Sequence, residues 1–313
     1  VNGTAVTGET SVPLSGDETV ITVKAAMEDA PSQAREYKIH VLRKKSVKLT
    51  LKIDPADTVI TLKDADSKKL KAENGVYTLK AEETYSYVAV KAGYVTKKDT
   101  ISVTEDTEKT ITMEKAPEST RKDVSAAWKN FRNSDDNMGI TSAKTPTSEA
   151  TTYEKWFKKL GSGWGAAPSV QIIVDNSLIV MSANHIYKLD LNTGDILQTG
   201  DMVAATNFGY TPPTYADGMI FAPLADGRVQ AFNAETLESL WVYQDTLKGQ
   251  SLSPITYSDG YIYTGFWNAE TKDANYVCIP VTDEDPTNAQ EAKEAAWQYT
   301  SLGGFYWAGS VVR

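Results

Sequence analysis

Apolar and polar residues alternate along most of this chain, which is the spacing of a strand that buries one of its faces. Two such runs, 19–24 and 36–43, lie near the beginning, and the runs 48–53 and 58–63 follow them. Gly, Pro, Asn and Asp separate the runs, and these residues are typical of tight turns. The pattern therefore predicts an all-β chain of short strands.

A stretch in the second half of the chain is repeated. The turn residues Asp175, Asp217 and Asp259 lie 42 residues apart, each between two apolar runs. A period of about 40–45 residues with several short strands in each unit is typical of propeller blades. We predict three complete copies and the beginning of a fourth. Propellers normally close with about four to eight blades, so we expect the chain to be a fragment cut at both ends.

Each copy is predicted to contain four antiparallel strands joined by short turns. Residues 217–218 (Asp-Gly) should join the first strand to the second, and residues 226–227 (Asp-Gly) the second to the third. The third turn is assigned to 192–194 (Asn-Thr-Gly) in one copy and to 234–236 in the next. Such turns need a positive φ, which Gly adopts without steric cost. Trp156, Trp241 and Trp297 are predicted to end the fourth strands and to pack between blades.

A polar linker at 116–120 marks a change in composition. All seven tryptophans follow it, and the net charge of −9 also falls entirely after it. We therefore predict three domains, at residues 1–45, 46–116 and 117–313, with two small β-sandwich modules preceding an incomplete β-propeller. An acidic repeat region disfavours nucleic acid as a partner. No run of about 18 apolar residues occurs, so we also expect no membrane span.

The first two modules resemble known small β-sandwich families. Residues 1–6, 12–14, 19–25 and 37–43 resemble the C-terminal half of a bacterial cadherin-like domain. Residues 46–116, with Gly75-Val76-Tyr77, Val88-Ala89-Val90 and Gly93-Tyr94, resemble the PEGA domain of surface proteins. Both resemblances imply a stalk or spacer, the second with weak surface binding as an alternative. Further strands are predicted at 76–79, 85–90, 100–103 and 109–113, after a hairpin turn at Asn74-Gly75.

The repeat region resembles the quinoprotein-like (PQQ-type) β-propellers. The phrases 128–133, 137–141 and 153–156 and the repeats with their turns carry this resemblance. Enzymes of that family use pyrroloquinoline quinone, calcium, a catalytic aspartate and commonly a vicinal cysteine pair. This chain has one cysteine, Cys278, so we predict no cofactor, no metal and no enzyme activity. The acidic triplet 283–285 could bind calcium, but a solvated surface run is the expected role.

No catalytic constellation is predicted elsewhere. His40 and His185 lie in different parts of the chain, and His185 is expected at the turn into a third strand with a structural role. The acidic, Ala-rich insert at 282–295 is predicted to be a tolerated surface insertion, with a partner-contacting loop as the alternative. We therefore predict no catalytic residue.

Aromatic residues before the first strands of the copies are the candidate ligand-binding residues. Flat aromatic faces stack on sugars and on peptide side chains, and aromatics are enriched at binding hot spots. The alternative is that these side chains fill the neck of the channel. The candidates are Trp164, Phe208, Tyr210, Trp267, Phe305 and Trp307.

These features together predict a non-enzymatic bacterial binding or adhesion protein, secreted or at the cell surface. Its β-sandwich stalk would present the propeller to a protein or carbohydrate ligand. Two alternatives remain: a PQQ-dependent oxidoreductase whose cofactor ligands lie outside this fragment, and a scaffold for envelope assembly.

Overall fold

The computed structural model describes residues 1–27, 29–206, 211–307 and 309–312. The chain forms two compact units. The first unit contains Val1–Ala56, Thr61–Tyr87 and Lys98–Ile111, and the second contains Asp57–Ile60, Val88–Lys97 and Thr112–Arg313. Among the described residues, no helix has the length and the apolar character that crossing a membrane requires.

The chain begins with a single hairpin. Strands β1 (Glu18–Met27) and β2 (Ala30–Leu42) pair antiparallel, with Ile21 opposite Ile39. They form a two-stranded sheet whose apolar side chains stay largely in solvent; Ile39, for example, is 50% exposed. Both runs predicted here are strands, but a two-stranded sheet buries too little surface to be a sandwich.

Six strands follow, in two three-stranded sheets. They are β3 (Ser46–Asp54), β4 (Val59–Lys63), β5 (Val76–Lys80), β6 (Thr84–Val90), β7 (Lys97–Ser102) and β8 (Thr107–Thr112). The strand orders are β5-β3-β8 and β4-β6-β7. Alternation produces one buried face, as with Val47 and Leu49 on β3. Asn74 and Gly75 both have positive φ, as predicted for the hairpin turn.

The rest of the chain forms three sheets of four or five strands. Their strands are β9 (Ala126–Trp128), β10 (Ile172–Val174), β11 (Ser177–Ser182), β12 (His185–Asp190), β13 (Ile196–Asp201), β14 (Thr214–Ala216), β15 (Met219–Leu224), β16 (Arg228–Asn233), β17 (Ser239–Gln244), β18 (Thr256–Ser258), β19 (Tyr261–Gly265), β20 (Asp273–Pro280), β21 (Glu291–Lys293) and β22 (Trp297–Leu302). Two 3₁₀ turns, Glu149–Thr151 and Trp164–Ala166, precede β10.

We call these sheets I, II and III in chain order. Sheet I has the order β13-β12-β11-β10-β9, sheet II β14-β15-β16-β17-β21 and sheet III β18-β19-β20-β22. The first strand of each predicted copy is β10, β14 or β18, and these three strands approach one another in succession. This is the blade arrangement of a propeller. The predicted all-β fold class with an incomplete propeller is confirmed.

The turns between strands lie where the sequence predicts them. Asp217 and Gly218, between β14 and β15, have φ of 51° and 69°. Asp226 and Gly227, between β15 and β16, have φ of 58° and 69°. In sheet II the turn into the fourth strand has no glycine, and Leu237 takes the positive φ there.

The hydrophobic core lies between the faces of consecutive sheets. One cluster joins Ile179 and Ile186 of sheet I to Ile220 and Phe232 of sheet II. A second cluster joins sheet II to sheet III through Trp241, which is fully buried against residues such as Val277. Each sheet therefore buries its apolar residues against its neighbours.

The prediction that three tryptophans end the fourth strands is wrong. Trp156 lies outside the strands, Trp241 is the third residue of β17, and Trp297 begins β22. Trp241 reaches from sheet II to sheet III, Trp156 lies on the turn between β12 and β13, and Trp297 stacks on Tyr276 of its own sheet. The Trp241 N–H donates to the Val281 carbonyl, and that of Trp156 to the Leu191 carbonyl, each at 3.1 Å.

Candidate functional site

The candidate site is built on connecting segments. Gln250 follows β17 and Trp267 follows β19, and their backbones form an isolated antiparallel bridge with N–O distances of 2.8 and 3.0 Å. The segment after β22 lies against them, because the Trp307 N–H donates to the Leu252 carbonyl at 3.3 Å. These backbone hydrogen bonds fix the positions from which the Gln250, Trp267 and Trp307 side chains project.

Gly304 allows the third segment to pass so close to the others. Its φ is +60°, and a Cβ atom built on it would lie 2.7 Å from the carbonyl oxygen of Phe266. A larger residue would meet both the left-handed backbone and this contact. The local sequence Gly303-Gly304 therefore brings the following aromatic residues onto sheet III.

The three segments and Trp164 enclose a cavity of about 420 Å³, which we call the aromatic pocket. This size is within the range of roughly 300–1,000 Å³ found for small-molecule sites. Trp164 and Trp307 expose 73% and 55% of their surface, so a ligand in the pocket can contact both side chains. The lining residues are Trp164, Gln250, Leu252, Trp267, Glu270, Tyr306 and Trp307.

Tyr306 holds the aromatic side chains of the pocket in a fixed arrangement. Its ring centroid is 5.7 Å from that of Trp267 at an interplanar angle of 57°. It is 5.8 Å from that of Trp307, nearly edge-on at 69°. Tilted and edge-on pairs at these distances are favourable because the positive edge of one ring faces the negative face of another.

Two polar atoms of the pocket lack partners. Gln250 Oε1 and Trp267 Nε1 are both buried and have no hydrogen-bond partner within the described part of the chain. The first is an acceptor and the second is a donor. A buried polar atom without a partner costs roughly 1–3 kcal/mol, so a ligand that satisfied both atoms would gain affinity. Glu270 is the one carboxylate in the described lining.

Three of the six residues predicted for binding come together in this pocket: Trp164, Trp267 and Trp307. Phe208 and Tyr210 lie outside the described residues. Sequence reasoning missed Tyr306, although it stands between two predicted aromatic residues. It also missed Gln250, and no signal in the sequence marks that residue.

Phe305 lines an adjacent cavity of about 370 Å³ and not the aromatic pocket. Its ring lies 5.2 Å from that of Tyr276 at 68°, and its N–H donates to the Phe266 carbonyl at 2.8 Å. A Cβ atom on Gly265 would lie 2.4 Å from the Cβ atom of Phe305, so that contact is close. Phe305 thus anchors the segment that carries Tyr306.

The residues weighed for catalysis are dispersed. Cys278 is buried on β20, where burial raises the pKa of its thiol to about 11. His185 begins β12 as predicted, and its Nδ1 lies 3.0 Å from Asp201 Oδ1 of the paired strand. His40 Nδ1 lies 2.5 Å from Glu18 in the N-terminal hairpin. No group of three His, Cys, Asp or Glu side chains within the described ranges could hold a metal ion.

The residues beside the aromatic pocket do not fit a quinone cofactor of the PQQ-enzyme type. Such a site pairs a stacked tryptophan with vicinal cysteines and calcium carboxylates. Here Cys278 is the chain's one cysteine, and it packs against Val90 and Ala296. Glu270 by itself provides too few oxygen ligands for calcium, which takes about six to eight.

The insert at 282–295 is exposed at 285–290 and mostly buried or half-buried on either side, so the expectation of a solvated acidic run holds for Asp285 and is wrong for Asp283. Asp283 is 6% exposed and accepts a hydrogen bond from Arg121 at 2.8 Å. The Lys293 ammonium is fully buried and contacts Glu284 and Glu291 at 2.5 and 3.0 Å. Burial of a charge requires pairing of this kind, and Arg121 lies 162 residues from Asp283, so a local pattern could not show that pair.

Residues 146–269 match a PQQ-type repeat family described as outer membrane protein assembly factor BamB. This match confirms PQQ-like repeats over β10–β19. It does not reach residues 1–116, where the cadherin-like and PEGA-like resemblances remain predictions. Comparison with curated proteins finds no match for the chain.

Three solved structures resemble parts of the chain. A europium-containing methanol dehydrogenase is 20% identical with a TM-score of 0.34, and the match covers 45% of this chain and 26% of that one. The quinohemoprotein alcohol dehydrogenase of Comamonas testosteroni is 18% identical with a TM-score of 0.42, over 56% of this chain and 27% of that one. BamB of Moraxella catarrhalis is 10% identical with a TM-score of 0.30, over 40% of this chain and 33% of that one. The chain therefore spans about a quarter to a third of their length. At this level of similarity they inform neither the activity nor the ligand of this chain.

Proposed function

We propose that this chain is a non-enzymatic binding protein whose propeller-type region takes its ligand in the aromatic pocket. In this proposal the protein is bacterial, secreted or exposed at the cell surface, and the strands of residues 1–116 act as a stalk. The observation that supports binding is the convergence of Trp164, Trp267 and Trp307 on one open cavity of about 420 Å³. Open aromatic faces beside unsatisfied polar atoms are typical of recognition sites.

The chemistry of the lining favours binding over catalysis. A catalytic site needs a nucleophile, an acid–base group or a metal within reach of the bound ligand. Glu270 is the one carboxylate among the described lining residues, and it has no second carboxylate beside it in that lining. The cysteine and both histidines belong to other parts of the chain.

A binding screen on the full chain tests this proposal. Neutral oligosaccharides, short peptides and aromatic amines would be titrated while the tryptophan fluorescence is measured. We expect one class to bind saturably and to lose about two- to tenfold in affinity in Trp164→Ala, since stacked aromatics are worth about 0.5–1.5 kcal/mol. Tyr153→Ala is the matched control, because Tyr153 is 80% exposed and lies outside the lining.

Two results would contradict the proposal. One is the absence of any binding that depends on Trp164. The other is turnover of an alcohol or a sugar by the chain with added pyrroloquinoline quinone and calcium, which would favour an oxidoreductase.

A second candidate function is a scaffold for envelope assembly. It is favoured by the match of residues 146–269 to the family described as an outer membrane assembly factor. A pull-down with the full chain would then recover one protein in stoichiometric amount, and Trp164→Ala would not prevent its capture. Recovery of a glycan without a protein partner would argue against the scaffold.

A further inference from the structure

We infer that the occupant of the aromatic pocket is a neutral saccharide, bound by stacking on the tryptophans and by hydroxyl groups at Gln250 Oε1 and Trp267 Nε1. This inference rests on the proposed binding function and names the class of its ligand. It follows from three properties of the pocket: its unsatisfied polar atoms, its backbone pairing and its charge.

The two unsatisfied atoms require a donor and an acceptor from the same ligand. Gln250 and Trp267 are bridged through their backbones, so Gln250 Oε1 and Trp267 Nε1 belong to adjacent residues of one small site. A sugar carries several hydroxyl groups, and each of them can donate and accept a hydrogen bond. Adjacent hydroxyl groups on one ring can therefore serve both atoms once the two side chains, whose polar atoms are shielded from solvent in the free protein, rotate toward the ligand.

The backbone of the pocket disfavours an extended peptide. Peptides that bind at a strand edge gain affinity from free main-chain N–H and carbonyl groups. The main-chain N–H and carbonyl groups of Gln250 and Trp267 already pair with one another, and the Leu252 carbonyl accepts from Trp307. A ligand in the pocket therefore meets the side chains of the lining residues and not free main-chain groups.

The charge of the pocket disfavours anionic ligands. No lysine or arginine lines the described pocket, so an acidic sugar or a phosphate would lack a counter-ion. Glu270 is the one charged group, and it is exposed to solvent. A neutral ring with apolar C–H faces suits the exposed faces of Trp164 and Trp307.

The test titrates four neutral tetrasaccharides, namely cellotetraose, xylotetraose, maltotetraose and tetra-N-acetylchitotetraose, into the full chain by calorimetry. We expect at least one to bind, and Trp267→Phe to weaken it about five- to tenfold. Phenylalanine keeps an aromatic face and removes the N–H that a sugar oxygen would accept from. Gln250→Leu should have an effect of similar size, and Tyr153→Ala should have none.

A second measurement separates this role from a structural one. In the ¹H–¹⁵N spectrum, the indole resonance that disappears in Trp267→Phe should shift when the bound tetrasaccharide is added to the wild type. Unchanged affinity in both Trp267→Phe and Gln250→Leu would overturn the hydroxyl contacts.

The outcomes also separate this inference from the proposed function. If no tetrasaccharide binds, but a peptide or aromatic amine binds in a manner that depends on Trp164, the saccharide inference fails and the binding function stands. If nothing binds at the pocket, both fail.

Discussion

Gly194 lies in the turn between β12 and β13 with a φ of +73°, and the indole of Trp156 lies directly on it. A Cβ atom at this position would be 2.5 Å from Trp156 Cε3. The sequence predicted a glycine turn here from the Asn-Thr-Gly pattern alone. That the missing side chain also makes room for an indole 38 residues earlier in the chain could not be predicted from local spacing.

We expect Gly194→Ala to destabilise the second unit by more than Gly93→Ala. Both positions have positive φ, so a left-handed alanine lowers the free energy of unfolding by about 1–2 kcal/mol in each variant. Nothing lies within 4 Å of a Cβ atom on Gly93, whereas Gly194 also meets Trp156. Urea unfolding followed by fluorescence measures the difference. Equal losses in the two variants would contradict the contact with Trp156.

Tyr215 shows how a repeated residue holds two successive segments together. Its hydroxyl donates to Asp123 at 2.5 Å and accepts from the N–H of Val124 at 2.6 Å. Tyr257, 42 residues later, donates in the same way to Asp217. Burial first, and then the hydrogen bond to Asp123, raise the pKa of Tyr215 to about 12.

This pKa makes the stability that Tyr215 provides dependent on alkaline pH. An unfolded tyrosine has a pKa of about 10, so its contribution is complete below pH 10 and is lost as the pH rises toward 12. The difference in unfolding free energy between wild type and Tyr215→Phe should therefore be constant from pH 7 to 9 and shrink above pH 10. Urea titrations at each pH measure it, with Tyr153→Phe as the exposed control. A difference that does not change with pH would contradict this role.

At the scale of elements, β21 is the feature that the sequence concealed. Residues 291–293 are too short and too charged to predict a strand, yet they pair in parallel with 241–243 at the edge of sheet II. The Lys293 ammonium contacts Glu284 and Glu291 and donates to the Thr282 carbonyl at 2.6 Å. These contacts offset the free-energy cost of removing the ammonium from water. Pairing across the insert depends on its three-dimensional path, which a linear pattern does not contain.

Lys293→Met should therefore be strongly destabilising. Removal of one member of a buried ion cluster leaves two carboxylates without their partner, and such changes cost about 3–5 kcal/mol. Lys272→Met is the matched control, because Lys272 is exposed on a nearby connection and should cost almost nothing. The free energy of unfolding measures both. A loss below about 1 kcal/mol in Lys293→Met would show that the cluster does not hold the insert in place.

At the scale of the whole molecule, the second unit contains more than the repeats. It includes Asp57–Ile60 and Val88–Lys97. Within this unit Val90 packs against Cys278 and Ala296, and the N–H of Ala92 donates to the Tyr261 hydroxyl at 2.9 Å. The predicted domain boundary at residues 116–117 rests on composition and stays a prediction.

Cys278, the chain's one cysteine, is a reporter for this packing. Val90→Ala should cost about 2 kcal/mol as a cavity substitution and speed thiol labelling at pH 8 roughly thirtyfold. The physical reason is that a buried thiol reacts only when the unit opens. Val170→Ala, at an exposed position, is the control. Labelling of Val90→Ala at the wild-type rate would show that Val90 contributes nothing to the core around Cys278.

The sequence by itself determined the repeat, its turns and most of the strands, with β21 as an exception. Alternation and positive-φ turn residues act between neighbours in the chain, so a linear pattern carries them completely. It also indicated Trp164, Trp267 and Trp307, because aromatic residues recur at equivalent places. Only the tertiary structure decided that these three share a pocket with Gln250, that Phe305 packs beside it, and that Asp283 and Lys293 of the acidic insert are buried. Those outcomes depend on contacts between residues far apart in sequence, whose partners become known only when the chain is folded.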